Sequence, residues 1–308
     1  MYTFMRLKQA YFSSEIITFD DSSKLVFISD CHRGDGSKAD SFVKNRDIYL
    51  HALNSYYSNG FTYIEVGDGD ELWENDRFSA LINSHLEVYL LLQKFHMDKR
   101  LYMIWGNHDI FKSCKAYVRN TLYRYYDPEI QAYRPLFENI KIHEGLVLKH
   151  SSNSYRLFAV HGHQGDILSD VLWPFSCFMI RYFWRFFKMA QYRSSLNQVR
   201  NSERLRIIEG SMRQWSRSND LMVIAGHTHN PAFPKPGEIP YFNDGCCVKK
   251  GYITCIEIQN GEISLVKWNR NESGISKEVV AGPEMISAYF DSPNLQSGSV
   301  LQYSPDTK

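Results

Sequence analysis

No run of about eighteen uncharged apolar residues occurs in this 308-residue chain, so no segment is expected to span a membrane. The first residues, MYTFMRLKQAYFSSE, hold neither a continuous apolar core nor a small-residue cleavage site, so no secretion signal is expected. Cysteine is scarce, and none of the six (Cys31, Cys114, Cys177, Cys246, Cys247 and Cys255) forms a Cys-x-x-Cys pair. They read as free or buried thiols of a reducing compartment, so a cytoplasmic protein is expected. No internal repeat is visible. With 44% hydrophobic and 22% charged residues the chain is not globally disordered, and its length suits a large α/β domain with an insertion.

The net charge of +1 conceals an asymmetry. From Arg181 to Arg217 nine Lys/Arg face two acids, Glu203 and Glu209, so a basic module sits on a mildly acidic body. An anionic partner or surface is expected for it.

Short apolar runs each end in a polar cluster. Leu25–Ser29 precedes Asp30, Phe61–Val66 precedes Gly67-Asp68, and Leu101–Trp105 precedes Gly106-Asn107-His108-Asp109. Arg156–Val160 precedes His161-Gly162-His163, and Leu221–Ala225 precedes Gly226-His227-Thr228-His229. Such runs, bounded by Gly and Asp, read as buried strands. Helical patterns fill Asp40–Ser58 and Arg77–Lys94, giving the strand–helix alternation of α/β folds, whose polar sites lie at the carboxyl ends of strands. Tyr241–Val248, Gly251–Gln259 and Ile263–Trp268 read as later strands, with Asn260-Gly261 as a hairpin turn. From about 271 to 308 Ser, Gly, Pro and Asn dominate, so a loosely ordered tail is expected.

The clusters carry metal chemistry. Asp30 and His32, one residue apart, can turn toward one ion. Asp68 and Asn107 each follow a glycine that permits a tight turn, and His161, His227 and His229 add imidazoles. Carboxylate, carboxamide and imidazole together suit Mn, Fe or Zn better than Ca or Mg. His163 is an alternative to His161. Asp109 either supports the Asn107 loop or caps the next helix, and Asp166 is a similar supporting candidate. His51, His85, His96, His143 and His150 lack obvious partners. Cys31 is expected to point into the core, and Cys246 and Cys247 to pack as small apolar residues.

The ordered set Asp30-Cys31-His32, Gly67-Asp68-Gly69-Asp70-Glu71, Gly106-Asn107-His108-Asp109, His161 and Gly226-His227-Thr228-His229 resembles the calcineurin-like metallophosphoesterase superfamily, over about residues 24–268. Asn243-Asp244-Gly245-Cys246 resembles the Asn-Pro-Gly-Ser strand entry that follows the last His motif there. The resemblance implies a four-layer α/β/β/α sandwich of two mixed β-sheets with a helical insertion, a domain spanning 1–270 and the insertion about 167–217. It implies one divalent ion on Asp30, His32 and His229, a second on Asn107, His161 and His227, and Asp68 bridging both. A hydroxide between the ions would attack phosphorus. His108, oriented by Glu71, would lie by the leaving group. Manganese is the expected ion, with Fe or Zn as alternatives.

Within the module, Val171–Ala190 is rich in aromatic residues, and Arg181, Arg185 and Lys188 fall on one helical face. A second helix, about Leu196–Trp215, adds Arg200, Arg204, Arg206 and Arg213. The module would pack on the body or on a second subunit, cap the site or touch lipid through 171–190, or bind nucleic acid. The insertion and Gly67–Trp73 resemble UDP-2,3-diacylglucosamine hydrolases, although many of those carry Arg where this chain has His108. The expected activity is hydrolysis of a phosphoester or pyrophosphate bond in a phosphorylated small molecule or a lipid-linked substrate. A nuclease and a non-catalytic metal-binding scaffold are the alternatives. The Ser/Thr phosphatase pattern Gly-Asp-x-Val-Asp-Arg-Gly is absent.

Overall fold

The structure, a computed structural model, describes residues 2–184 and 195–290, with the backbone alone for 183–184 and 195–202. Its strands are β1 (Glu15–Phe19), β2 (Leu25–Ile28), β3 (Thr62–Val66), β4 (Leu101–Ile104), β5 (Arg124–Asp127), β6 (Ala132–Pro135) and β7 (Ile142–His143). There follow β8 (Gly145–His150), β9 (Arg156–Val160), β10 (Met222–Ala225), β11 (Tyr241–Asn243), β12 (Tyr252–Gln259), β13 (Glu262–Asn271) and β14 (Gly274–Met285). One sheet has seven strands in the order β14-β13-β12-β2-β3-β4-β7, the other five in the order β1-β8-β9-β10-β11, and β5 pairs with β6 apart from both. Both large sheets are mixed. β2, β3, β4 and β7 run parallel, while β12 joins β2 antiparallel. β9, β10 and β11 run parallel, while β8 meets β9 antiparallel.

The continuous apolar runs become strands buried on both faces. Side chains alternate across a strand, so each run feeds two cores. Leu25 and Phe27 of β2, Ile64 and Val66 of β3, Leu157 and Ala159 of β9, and Met222 and Ile224 of β10 fill the core between the sheets. Val26, Ile28 and Tyr63 face outward onto the helices Arg46–Ser58 and Leu86–Met97. Phe158, Val160 and Val223 face the other way, onto the helices Tyr2–Ser13 and Ser195–Asn219, through Leu7, Ile208, Met212 and Trp215. The result is the expected four-layer α/β/β/α sandwich. The second module helix is thus, from Ile208 onward, part of the outer layer.

Several expected boundaries move, each for a local reason. Asp40 starts no helix, because its carboxylate folds back on the backbone N–H groups of Gly34, Gly36 and Phe42. A 3₁₀ turn at Phe42–Asn45 intervenes, and the helix begins at Arg46. The helix expected over Arg77–Lys94 breaks at His85 into Phe78–Ser84 and Leu86–Met97. His85 is not partnerless: it is buried, with Nε2 2.8 Å from the Asp40 carboxylate. The strand expected over Tyr241–Val248 stops at Asn243, whose side-chain oxygen accepts from Gly245 N–H in a tight turn. Asn260 and Gly261 both take positive φ (55° and 71°), as a two-residue hairpin turn requires.

The loosely ordered tail expected from 271 is corrected over its first part. Residues Gly274–Met285 form β14, antiparallel to β13, and Ser287–Phe290 is a helical turn. β14 covers what would otherwise be an open edge. Ile286 and Tyr289 then seal the inter-sheet core, the Tyr289 hydroxyl donating to Pro234 O at 2.8 Å. The rest of that expectation, 291–308, lies outside the described residues.

Candidate metal centre

The clusters leave the carboxyl ends of β2, β3 and β4 in one sheet and β9 and β10 in the other, and they converge. The first two loops prolong the β2–β3 ladder. Asp30 N–H donates to Gly67 O (3.1 Å), His32 N–H to Asp68 O (2.9 Å) and Arg33 N–H to Gly69 O (3.0 Å). This zipper offsets strain. Asp30, His32, Asp68, His227 and His229 all have left-handed backbones, with φ between 49° and 66°. Each such non-glycine residue costs roughly 1–2 kcal/mol. Two glycines are required by close approach. A Cβ on Gly67 would sit 2.6 Å from the His161 ring, and one on Gly106 2.2 Å from an Asp68 oxygen.

The ligand atoms of Asp30, His32 and His229 lie within 4.8 Å of one another, as do those of Asp68, His161 and His227. His229 Nε2 is 2.9 Å from Asp30 Oδ1. Asp68 Oδ2 lies 3.2 Å from His161 Nε2 and 3.8 Å from His32 Nε2, so one carboxylate reaches both groups. The outer sides of these residues are already bonded. Asp30 Oδ2 accepts from His227 N–H (2.8 Å), Asp68 Oδ1 from His108 N–H (2.7 Å), and His161 Nδ1 donates to Val66 O (2.8 Å). The inner sides are not. Asp30 Oδ1, Asn107 Oδ1, His161 Nε2 and His227 Nε2 are buried and make no well-aligned hydrogen bond among the described residues, although Asp30 Oδ1 and His161 Nε2 lie within ion-pair distance of His229 and Asp68. Such atoms normally cost about 1–3 kcal/mol each. Their convergence, and their mixture of oxygen and nitrogen donors, fits divalent transition-metal ions.

Charge agrees with that fit. Burial alone would lower His161 and His229, but Asp68 and Asp30 outweigh it and raise the imidazoles to about 9 and about 10. Burial would raise Asp68, yet His161 and His108 hold it far below the usual carboxylate range. His227 is lowered, chiefly by burial.

His108 faces the cleft beside these groups. Its Nδ1 is 2.7 Å from Glu71 Oε1, the expected orienting contact. Glu71 does more than expected: its Oε2 also holds His32 Nδ1 at 2.9 Å. One carboxylate therefore fixes two imidazoles. The Trp73 ring stacks on His108, centroids 4.3 Å apart and planes 26° apart.

Sequence reasoning missed the layer beneath. Arg33, Glu65, Asp70, Asp109 and Lys112 form a fully buried ionic network. Arg33 donates to both Glu65 oxygens (2.7 and 3.0 Å) and to Asp70 (2.7 Å). Lys112 contacts Asp70 and Asp109, each at 2.7 Å. It ties together the loops after β2, β3 and β4. Asp109 does not cap the following turn, and its Oδ1 instead accepts from Gly106 N–H at 2.7 Å, so the supporting role holds. The only signals were the positions of Arg33 beside His32 and of Lys112 three residues after Asp109.

The open alternatives also resolve. His161 takes the position facing Asp68. Neither ring nitrogen of His163 has a hydrogen-bond partner among the described residues, and burial holds His163 well below its usual value. Asp166 caps the turn Ile167–Asp170 through Leu168 N–H, lies 3.4 Å from His227 Nε2 and pairs with Arg204. Cys31 packs in the outer core as expected. Cys246 is buried as expected, and the neighbouring His229 brings its thiol below the usual value although burial pushes it up.

The groups open into a cleft of about 910 Å³. His32, Asp68, Asn107, His108, His227 and His229 form one wall, and Leu168, Ile180, Leu205 and Arg206 of the module form another. Of the expected basic face, Arg181 turns its guanidinium onto the carbonyls of Leu72 and Trp73. Arg185 and Lys188 lie outside the described residues, as does the Arg200 side chain.

The family model for calcineurin-like phosphoesterases matches residues 23–252. No curated protein matches the chain. Similar solved structures include a conserved uncharacterised protein of Streptococcus pneumoniae TIGR4, described as a predicted phosphoesterase. It is 13% identical, with 83% of this chain and 97% of that one covered and a TM-score of 0.36. Vacuolar protein sorting 29 from Cryptosporidium parvum is 13% identical, with 85% and 98% covered and a TM-score of 0.40. The cold-active protein-tyrosine phosphatase of a psychrophilic Shewanella species is 14% identical, with 87% and 83% covered and a TM-score of 0.37.

Proposed function

This chain belongs to the calcineurin-like phosphoesterase family, and we propose that it hydrolyses a phosphoester or pyrophosphate bond with two divalent transition-metal ions. The observation that carries this reading is the convergence of four buried ligand atoms, none in a well-aligned hydrogen bond, beside a carboxylate that reaches both groups. Asp30, His32 and His229 would hold one ion, and Asn107, His161 and His227 the other, with Asp68 shared. When bound, such ions polarise the phosphoryl group and activate water near neutral pH.

The protein's own groups do the rest. Glu71 fixes His108 through Nδ1, leaving Nε2 for the departing oxygen, to which it donates a proton. Trp73 covers the imidazole and keeps water from one of its faces. The network under the loops keeps the ligands in place without touching substrate.

The test is release of nitrophenol from a nitrophenyl phosphate ester with Mn, then Fe or Zn. Activity is expected in the wild type and is expected to vanish in Asp68→Ala. Undiminished turnover by Asp68→Ala would overturn the reading. An intact ligand set disfavours the non-catalytic scaffold. Arg181 and Arg204 are already paired within the protein, which disfavours a nuclease that tracks phosphates with them.

A second reading narrows the substrate to an amphiphile, such as a lipid-linked pyrophosphate met at a membrane surface. It is favoured by exposed apolar side chains on the module: Ile167, Val171, Leu172, Phe175, Phe178 and Tyr182. No helix among the described residues is long and apolar enough to cross a membrane, so the contact would be peripheral. The same face would serve a homo-oligomer. Vesicle co-sedimentation and sedimentation velocity separate the two, since only one depends on lipid.

A further inference from the structure

The helical module meets the catalytic wall at the turn Leu72–Trp73. Arg181 Nε donates to Trp73 O at 3.0 Å, and Arg181 Nη2 donates to Leu72 O at 2.7 Å. That turn touches His108 in three ways. Glu71, the residue before it, holds Nδ1 at 2.7 Å. The Leu72 N–H donates to His108 O at 3.2 Å. The Trp73 ring stacks on the imidazole at 4.3 Å. The Leu72 residue is therefore held from both sides, by His108 through its N–H and by Arg181 through its carbonyl. A planar guanidinium can serve two successive carbonyls at once, whereas an ammonium is a point donor without that fork.

We propose that Arg181 is a positioning residue for His108. Seated on the Leu72–Trp73 carbonyls, it sets the stack and the Glu71 bond, and so couples docking of the module to protonation of the leaving group. The inference rests on the hydrolase reading for its kinetic arm only. A proton from His108 matters most when the leaving group is a poor one, such as an alkoxide, and least for nitrophenolate.

The experiment compares Arg181→Met, Arg181→Lys and wild type on an alkyl and a nitrophenyl phosphate ester with Mn. The ratio of alkyl to nitrophenyl kcat is expected to fall by about 10- to 100-fold in Arg181→Met, part of the ~10²–10⁴ that a positioned acid supplies. Arg181→Lys should recover part of it, and Mn affinity by calorimetry should stay at the wild-type value. A second arm needs no turnover. The His108 Hε1 proton resonance, assigned with His108→Gln, should lie upfield from the Trp73 ring current and move downfield in Arg181→Met. Equal loss on both esters, no loss on either, or an unmoved Hε1 resonance would overturn the proposal. A wild type inactive on both esters would instead overturn the hydrolase reading, with the resonance still deciding the role of Arg181.

Discussion

The metal loops and the helical module face each other across one cleft, and they are built on opposite plans. In the loops the outer sides of Asp30, Asp68 and His161 are tied to backbone groups, and their inward atoms converge. In the module, Phe175, Phe178 and Tyr182 are more than half exposed (62%, 52% and 65%), on short helical pieces. One region is preorganised for ions, at the cost of five left-handed residues. The other presents exposed apolar surface. Under the proposed function the chemistry would reside in the loops and substrate selection in the module.

The comparison can be broken at several points. The largest effect is expected from Asp68→Ala, which removes the carboxylate shared by both groups and should abolish turnover of a nitrophenyl phosphate ester. Next is His108→Ala, expected to lower kcat by about 10²–10⁴ on a poor leaving group with Mn affinity retained in calorimetry. Lys112→Met tests the support beneath the loops. It leaves Asp70 and Asp109 buried without their ammonium, and a loss of about 3–5 kcal/mol in urea unfolding is expected. Mn affinity should fall about 10- to 100-fold. A stability loss with no change in metal affinity would show the network to be structural alone.

The pH prediction follows from the imidazoles. His161 and His229 are raised to about 9 and about 10, so in the metal-free protein both are protonated at neutral pH. Ions must displace those protons, so Mn uptake should release acid, and affinity should rise with pH until about 10. The raised values also stabilise the metal-free fold, fully below the unfolded value of about 6.5 and progressively less as pH climbs through 9 to 10. Thermal unfolding in chelator should therefore show a Tm that falls from pH 7 to pH 10. The smallest stability effect belongs to the module: Phe175→Ser should change unfolding free energy by about 0.5 kcal/mol or less, while weakening any vesicle binding.

The loops were legible in the sequence because metal ligation demands particular residue types at strand ends, and hydrophobic runs mark those ends. Asp30, His32, Asp68, Asn107, His161, His227 and His229 all fall where the apolar runs placed them. The buried strands followed from the apolar runs, and the four layers from the family resemblance that the loop motifs carry. The supporting network was not legible, because Arg33 and Lys112 are residue types that composition assigns to the surface, and only a tertiary fold can bury them beside Glu65 and Asp70. β14 was hidden for a related reason. Its two glycines, serine and proline read as loop, whereas its structure comes from covering the edge of β13. The seat of Arg181 on Leu72 and Trp73 was not legible, because helical spacing says which residues share a face, not what that face meets.

Two ions that share Asp68, as proposed, would be magnetically coupled. Titration of metal-free protein with Mn, followed by electron paramagnetic resonance, tests this directly. Two ions per chain with a spin-coupled signal are expected, and the coupling should be lost in Asp68→Ala. A single uncoupled ion in the wild type, or coupling that survives in Asp68→Ala, would contradict it.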